Sequence, residues 1–246
     1  MSNPDQKIAI VTGGSRGIGA AISRRLATDG FAVVVNYAGN EKAALEVVAD
    51  IEAAGGRALA AKADVSNPAE VAALFDRTEE ALGIPSVLVN SAGIMQLAPV
   101  AESSDALFDS IVDINLKGTF NTLREAARRM QDGGRIVNLS TSVVGTKLPG
   151  YGVYTATKAA VEALTAILSK ELRGRNITVN AIAPGPVATE LFLNGKSPEL
   201  IDQLARMAPL ERLGEPEDIA SAVAFLAGPD GGWINGQTLR ANGGLV

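Results

Sequence analysis

The chain contains no cysteine and no histidine. Without thiols there can be no disulfide, no thiolate nucleophile and no thiolate metal ligand. Without imidazole the usual general base and the commonest metal ligand are gone too, so no metal site is expected. Any acid–base chemistry must fall to Tyr, Lys, Asp, Glu, Ser or Thr. No apolar run approaches the ~20 residues that a membrane span needs. The segment Met1-Ser2-Asn3-Pro4-Asp5-Gln6 lacks the basic start and apolar core of a signal peptide, which makes the cytoplasm the expected location. Excess positive charge is also missing: the net charge is −5, which argues against a nucleic-acid partner. What remains is an ordinary globular balance, 47% hydrophobic and 20% charged. At 246 residues the chain is long enough to bury a substantial core.

Against that background Tyr154-Thr155-Ala156-Thr157-Lys158 stands out. It opens an Ala-rich run, Tyr154 to Leu172, with Val161, Leu164, Ile167, Leu168 and Leu172 at helical spacing. Residues four apart share a helix face, so Tyr154 and Lys158 point the same way. A tyrosine holds its proton to about pH 10. A neighbouring cation favours the phenolate, so Lys158 is expected to lower the Tyr154 pKa toward a useful range.

Further upstream, Lys7 to Thr12 is a short apolar run ended by Gly13-Gly14-Ser15-Arg16-Gly17-Ile18-Gly19, and Ala20 to Asp29 reads as a helix. Strand, glycine turn and helix together place backbone N–H groups and a helix N-terminus against a phosphate. A second strand, Ala32 to Asn36, and a helix over Asn40 to Ala54 complete a right-handed βαβ unit. The end of that strand is where cofactor type is read. An acidic residue there suits the ribose 2′-hydroxyl of NAD, and a basic neighbour suits the 2′-phosphate of NADP. Here it is Asn36, with no carboxylate before Glu41 and with Arg16 in the glycine loop, so NADP(H) is favoured over NAD(H).

The alternation continues. Strands are expected at Ala58 to Lys62, Val87 to Asn90, Arg135 to Leu139, Ile177 to Ile182 and Gln237 to Arg240. Asn67-Pro68-Ala69-Glu70 carries an N-cap, a Pro at the first helical position and a Glu at the third. Asp105 to Met130 reads as largely helical, with Gly118 marking close packing or a local distortion. The fold class is thus α/β: a single doubly wound domain over 1–246, with seven parallel strands. In such sheets ligands bind beyond the carboxyl ends of the strands, where the polar and glycine clusters all fall.

The set Thr12-Gly13-…-Gly17-Ile18-Gly19, Asp64, Asn90-Ser91-Ala92-Gly93, Asn115, Ser140-Thr141-Ser142, Tyr154-x-x-x-Lys158 and Pro184-Gly185 resembles the short-chain dehydrogenase/reductase family, nearest its 3-oxoacyl-acyl-carrier-protein reductase branch. The resemblance implies a Rossmann sheet of order 3-2-1-4-5-6-7, assembled as homodimers or homotetramers. It implies Tyr154 as general acid, Lys158 as its activator and ribose ligand, and Asn115 as a link to a proton relay through water. It implies a substrate-orienting hydroxyl at Thr141 or Ser142, and the spacing leaves both open. It implies cofactor contacts from Gly13, Ser15, Arg16, Gly17, Ile18, Gly19, Asn36, Asp64, Val65, Asn90, Ala92, Gly93, Tyr154, Lys158, Pro184, Gly185, Val187 and Thr189. Ser91 and Asn242 stand where Asn and Asp are usual in the family. Glu190 to Glu215 is the expected substrate lid, with a helix capped by Ser197-Pro198-Glu199.

The implied activity is NADPH-dependent reduction of a small-molecule ketone to a secondary alcohol. A 3-oxoacyl thioester on CoA or an acyl-carrier protein leads the candidates, and Arg128, Arg129, Arg173 and Arg175 are available to an acidic carrier. The alternatives are an alcohol, sugar or steroid dehydrogenase of the same family, and a non-catalytic NADP-binding sensor.

Overall fold

In the computed structural model, which describes residues 6–246, seven strands form one parallel sheet. They are β1 (Ile8–Thr12), β2 (Ala32–Tyr37), β3 (Arg57–Lys62), β4 (Val87–Asn90), β5 (Arg135–Leu139), β6 (Thr178–Pro184) and β7 (Thr238–Ala241). Their order is β3-β2-β1-β4-β5-β6-β7, as the family resemblance implied. The connecting helices are α1 (Gly17–Thr28), α2 (Glu41–Ala53), α3 (Pro68–Ala81), α4 (Asp105–Ile111), α5 (Gly118–Arg129), α6 (Val143–Thr146), α7 (Gly152–Glu171), α8 (Glu190–Leu193), α9 (Pro198–Arg206) and α10 (Pro216–Ala227).

Helices cover both faces of the sheet, which is why its inner strands read as unbroken apolar runs rather than alternating ones. The pleat still divides each strand between two cores. Ala9, Val11, Val33, Val35 and Val137 join Ile22, Leu26, Val47, Ile51, Ile219 and Val223 on one side. Ile10, Val34, Leu88 and Ile136 join Leu74, Phe75, Leu123 and Met130 on the other.

Helix α3 begins as its sequence requires. The Asn67 Oδ1 accepts from the N–H groups of Ala69 (3.0 Å) and Glu70 (3.4 Å), and Pro68 opens the first turn. The helical stretch expected over 105–130 is interrupted. Between α4 and α5, Val112 to Lys117 adopts a π-helical turn, with Asn115 fully buried in it. Such a turn widens the backbone by one residue and is common at functional sites. It leads directly into Gly118, which is packed hard against the segment that follows β3: a Cβ there would lie 2.5 Å from Val65 Cγ2. Gly118 therefore marks close packing and the edge of a distortion at once. Gly118→Ala is expected to destabilise the protein by about 1–3 kcal/mol through overpacking, despite the ~1 kcal/mol that Ala gains over Gly in a helix. Urea denaturation decides the sign; a stabilised variant would mean that Val65 yields.

Candidate active site

The crevice above the carboxyl ends of β1, β4, β5 and β6 gathers nearly every patterned residue. On one side the glycine loop leaves β1. Gly13 has φ +60°, and a Cβ on it would sit 2.9 Å from the Ala92 Cα. At Gly19 a Cβ would lie 2.1 Å from the Gly13 carbonyl oxygen, so no side chain fits. The first main-chain bond of α1 runs from Ala20 N–H to the Arg16 carbonyl (3.2 Å). The N–H groups of Gly17, Ile18 and Gly19 thus lack partners within the helix. Arg16 is exposed and makes no capping bond. Glycine close approach, free donors, the positive end of a helix and an available guanidinium are the features with which a loop can hold a phosphate.

Thr12, which motif reading did not single out as a site residue, ties this loop to the next. Its Oγ1 accepts from Ser91 and Ala92 N–H, both at 3.1 Å. Opposite the loop, Pro184 ends β6 and the chain runs through Gly185 and Val187 to Thr189, whose Cγ2 lies 3.4 Å from where a Gly17 Cβ would be. The Thr189 hydroxyl caps α8 by accepting from Phe192 N–H (3.3 Å). The helix α9 starts with Ser197 accepting from Leu200 N–H (3.3 Å) and with Pro198 first, the cap foreseen for the lid segment.

Three of the expected cofactor residues have side chains with partners inside the chain. Asn36 is 1% exposed. Its Oδ1 accepts from Gly13 N–H (3.3 Å) and its Nδ2 donates to the Ala61 (3.2 Å) and Ala63 (3.0 Å) carbonyls. Asn36 therefore braces the glycine loop from behind through its carboxamide. Asn90 is likewise engaged, accepting from the Thr122 hydroxyl (2.7 Å) and donating to Asn138 Oδ1 (2.9 Å), which in turn donates to Thr165 (2.8 Å). This buried polar ladder stitches α5, β4, β5 and α7 together under the crevice. Asp64 is exposed, one carboxylate oxygen accepting from Ser66 N–H (2.9 Å) and hydroxyl (2.8 Å). Glu41, which follows β2, accepts from the Tyr37 hydroxyl (2.9 Å).

Tyr154 and Lys158 share a face of α7, as their spacing predicts, and the Lys158 Nζ lies 5.9 Å from the Tyr154 ring centroid. Lys158 is buried and donates to the Leu139 carbonyl (2.7 Å) at the end of β5. Burial pulls its pKa down from 10.5 to about 8. The Tyr154 pKa moves opposite to the expectation: burial pushes it up from 10.0 to about 12, with Tyr151 adding to the rise. The ammonium addresses the ring face and the Leu139 carbonyl instead of the phenol oxygen, and desolvation of a phenolate outweighs what remains.

Of the three hydroxyls at the end of β5, Thr141 is the one near enough to Tyr154 to draw its pKa down, while its Oγ1 also accepts from Val143 N–H (3.3 Å). Ser140 donates to Glu162 (2.5 Å). Ser142 donates to the Ala183 carbonyl (3.1 Å) and accepts from Asn242 (2.9 Å). Asn115 holds Ile94 in both directions, accepting from its N–H (2.9 Å) and donating to its carbonyl (2.9 Å). Gly93 lies beneath, where a Cβ would come 3.2 Å from Asn115 Oδ1 and 3.7 Å from Lys158 Nζ. The arrangement offers a proton on Tyr154, a second hydroxyl beside it, a buried ammonium below and the glycine loop across the crevice.

A sequence profile for a family described as enoyl-(acyl carrier protein) reductase matches residues 13–246. The NADPH-dependent aldehyde reductase 2, chloroplastic, of Arabidopsis thaliana is 47% identical over 98% of this chain and 94% of its own length. The chain belongs to the short-chain dehydrogenase/reductase family. It is accordingly an oxidoreductase by descent. The 3-oxoacyl-(acyl-carrier-protein) reductase FabG of Staphylococcus aureus is 42% identical over 97% of the chain and 98% of its own length. Among solved structures, a short-chain dehydrogenase from Burkholderia cenocepacia in complex with NADP superposes with a TM-score of 0.93 at 38% identity, covering 99% of each chain.

The arginines offered to a carrier protein are largely engaged within the chain. Arg129 binds Glu79 (2.9 Å) and Asp76 (2.6 Å). Arg175 binds Asp132 (2.8 Å) and the carbonyls of Ala127 and Met130. Arg128 keeps only a 3.4 Å contact with Glu125, and Arg173 is exposed. Among the described residues no helix is long and apolar enough to cross a membrane.

Proposed function

We propose that this protein reduces the carbonyl of a small aldehyde or ketone to an alcohol with NADPH, Tyr154 supplying the proton. The observation that carries the reading is the convergence of the Tyr154 phenol, the Thr141 hydroxyl and the Lys158 ammonium opposite the glycine cradle. The bound cofactor would supply the hydride, and be left oxidised. Tyr154, raised to about 12, is fully protonated at neutral pH and keeps its proton until the substrate oxygen becomes basic enough to take it. Thr141 orients that oxygen and shares its developing charge. Lys158 stabilises the phenolate left behind and passes a proton back to it. Two of its three N–H donors remain after the Leu139 bond, one for the cofactor ribose and one for a water-borne relay past Asn115. The lid over 190–215 closes the crevice against water.

NADP(H) is preferred on two grounds: the exposed Arg16 beside the phosphate cradle, and the Tyr37 hydroxyl that restrains the Glu41 carboxylate. A charge-assisted bond to a phosphate contributes about 1.5–3 kcal/mol. Arg16→Ala is therefore expected to raise the KM for NADPH by about tenfold or more while leaving that for NADH nearly unchanged. Equal effects on both cofactors would remove Arg16 from 2′-phosphate recognition.

The substrate test is a panel of small aldehydes, ketones, acetoacetyl-CoA and an enoyl thioester, with NADPH oxidation and product identity both followed. Alcohol formed from aldehydes supports the reading. Turnover of acetoacetyl-CoA alone would move the assignment to 3-oxoacyl thioesters, a possibility that the 42% identical Staphylococcus aureus relative keeps open. NADPH binding without any turnover would favour the sensor reading. Assembly as a dimer or tetramer is proposed from the exposed Phe120, Ile167 and Trp233, and is checked by light scattering in solution.

A further inference from the structure

The segment 242–246 folds back against the end of β5, and Asn242 is its fastening. The Asn242 Oδ1 accepts from Gly244 N–H (3.0 Å) and Leu245 N–H (3.2 Å), while its Nδ2 donates to the Ser142 hydroxyl (2.9 Å) and the Val246 carbonyl (3.3 Å). All four contacts come from one carboxamide. The direction of the Ser142 contact is forced. Ser142 gives its own proton to the Ala183 carbonyl (3.1 Å), so its oxygen has only lone pairs left and needs a donor. An amide provides one; a carboxylate, the residue usual here in the family, cannot. The packing around the segment is equally tight. A Cβ on Gly145, in α6, would lie 2.9 Å from Val246 Cγ2, and one on Gly185 would lie 2.9 Å from the Asn242 Cα. On its far side, Gly243 accepts from Leu210 N–H (3.2 Å), and Gly244 has Pro209 3.0 Å from where its Cβ would be.

The segment is thus wedged between the base of the proposed lid and the turn that carries Thr141. We propose that Asn242 is a positioning residue for Thr141: acting through Ser142, it holds the strand end so that the Thr141 hydroxyl stays against Tyr154. The proposal rests on the carbonyl-reductase reading for its catalytic consequence, though not for its structural content.

The test compares Asn242→Asp and Ser142→Ala, alone and combined with Thr141→Val, using the aldehyde that the wild-type protein reduces best. Asn242→Asp keeps the shape and both accepted bonds, and replaces the two donations with a charged acceptor facing the Ser142 and Val246 oxygens. Each single change is expected to lower kcat about tenfold, the scale of a sub-ångström misplacement, with the Kd for NADPH unchanged. In the Thr141→Val background neither change should lower kcat further, because the hydroxyl being positioned is already gone. Equal losses in both backgrounds, or an undiminished kcat, would overturn the proposal. If Asn242→Asp fails to fold, Ser142→Ala cuts the same link from the other side and carries the same expectation. Threonine-methyl NMR of the ligand-free protein reads the link without any substrate. The Thr141 methyl resonance should shift or broaden in both single variants, and an unchanged resonance counts against the link. Should the wild-type protein reduce no carbonyl, the functional reading fails while the NMR comparison still decides this one.

Discussion

Replacing Tyr154 with Phe should lower kcat for carbonyl reduction by about two to four orders of magnitude, the usual contribution of a general acid, with NADPH binding retained. The substitution removes one oxygen and little else. The ring's edge-on contact with Tyr151, at 6.5 Å between centroids, and the Lys158 Nζ above its face both persist. No neighbouring group can take over the proton. Lys158 sits over the ring and serves the phenol, not the substrate oxygen, and Thr141 holds its proton far more tightly than a phenol does. Turnover measured beside cofactor binding separates loss of chemistry from loss of the site. A Tyr154→Phe protein that turns over at the wild-type rate would end the case for this phenol as the acid.

Lys158→Met is expected to do two opposite things: reduce kcat by about a hundredfold or more, since both positioning and charge stabilisation are lost, and make the cofactor-free protein more stable at neutral pH. The second effect follows from linkage. The Lys158 pKa falls from 10.5 unfolded to about 8 folded, so below pH 8 the folded state holds a proton that its surroundings disfavour, at a cost of roughly 3 kcal/mol. Losing the donor to Leu139 offsets this by about 1–3 kcal/mol. Between pH 8 and 10.5 the unfolded wild-type chain binds more protons than the folded one, so wild-type stability rises with pH there. The advantage of Lys158→Met should therefore be largest below pH 8 and shrink as the pH approaches 10. Above that, Tyr154 acts in the opposite sense for as long as it stays: its raised pKa contributes stability that is lost between 10 and about 12. Urea titrations at pH 7 and pH 10 test the prediction, and a stability difference that grows with pH would contradict it.

Much of this architecture is legible in the sequence, because its signals are local. Glycine loop, apolar strand and capped helix recur with a rhythm that only a parallel sheet accommodates, and strands over 87–90 and 135–139 fall where they were expected. The strand order needed the family resemblance, since periodicity says which segments are strands and not which are neighbours. What stayed hidden depends on side-chain direction and on distant partners. Asn36 sits at the diagnostic position, but its carboxamide bonds to carbonyls on β3 and after it, which no spacing rule reveals. Thr141 and Ser142 are adjacent, similar and equally placed in the motif. Distant partners, the Ala183 carbonyl and Asn242, show that Ser142 is engaged elsewhere. The π-turn at Asn115 has no compositional signature, although Gly118 hinted at it. The direction of the Tyr154 pKa failed for a related reason: sequence displays the neighbouring charge and conceals the burial.

The most direct trial of the central claim is a single-turnover reduction with NADPH deuterated at the transferred position, in ordinary water, with an aldehyde in excess and the product analysed by mass spectrometry and NMR. The account predicts one alcohol per NADPH consumed, the deuteron on the former carbonyl carbon and a solvent proton on its oxygen. Cofactor consumed with no alcohol formed, or an alcohol whose carbon carries solvent hydrogen, would contradict it.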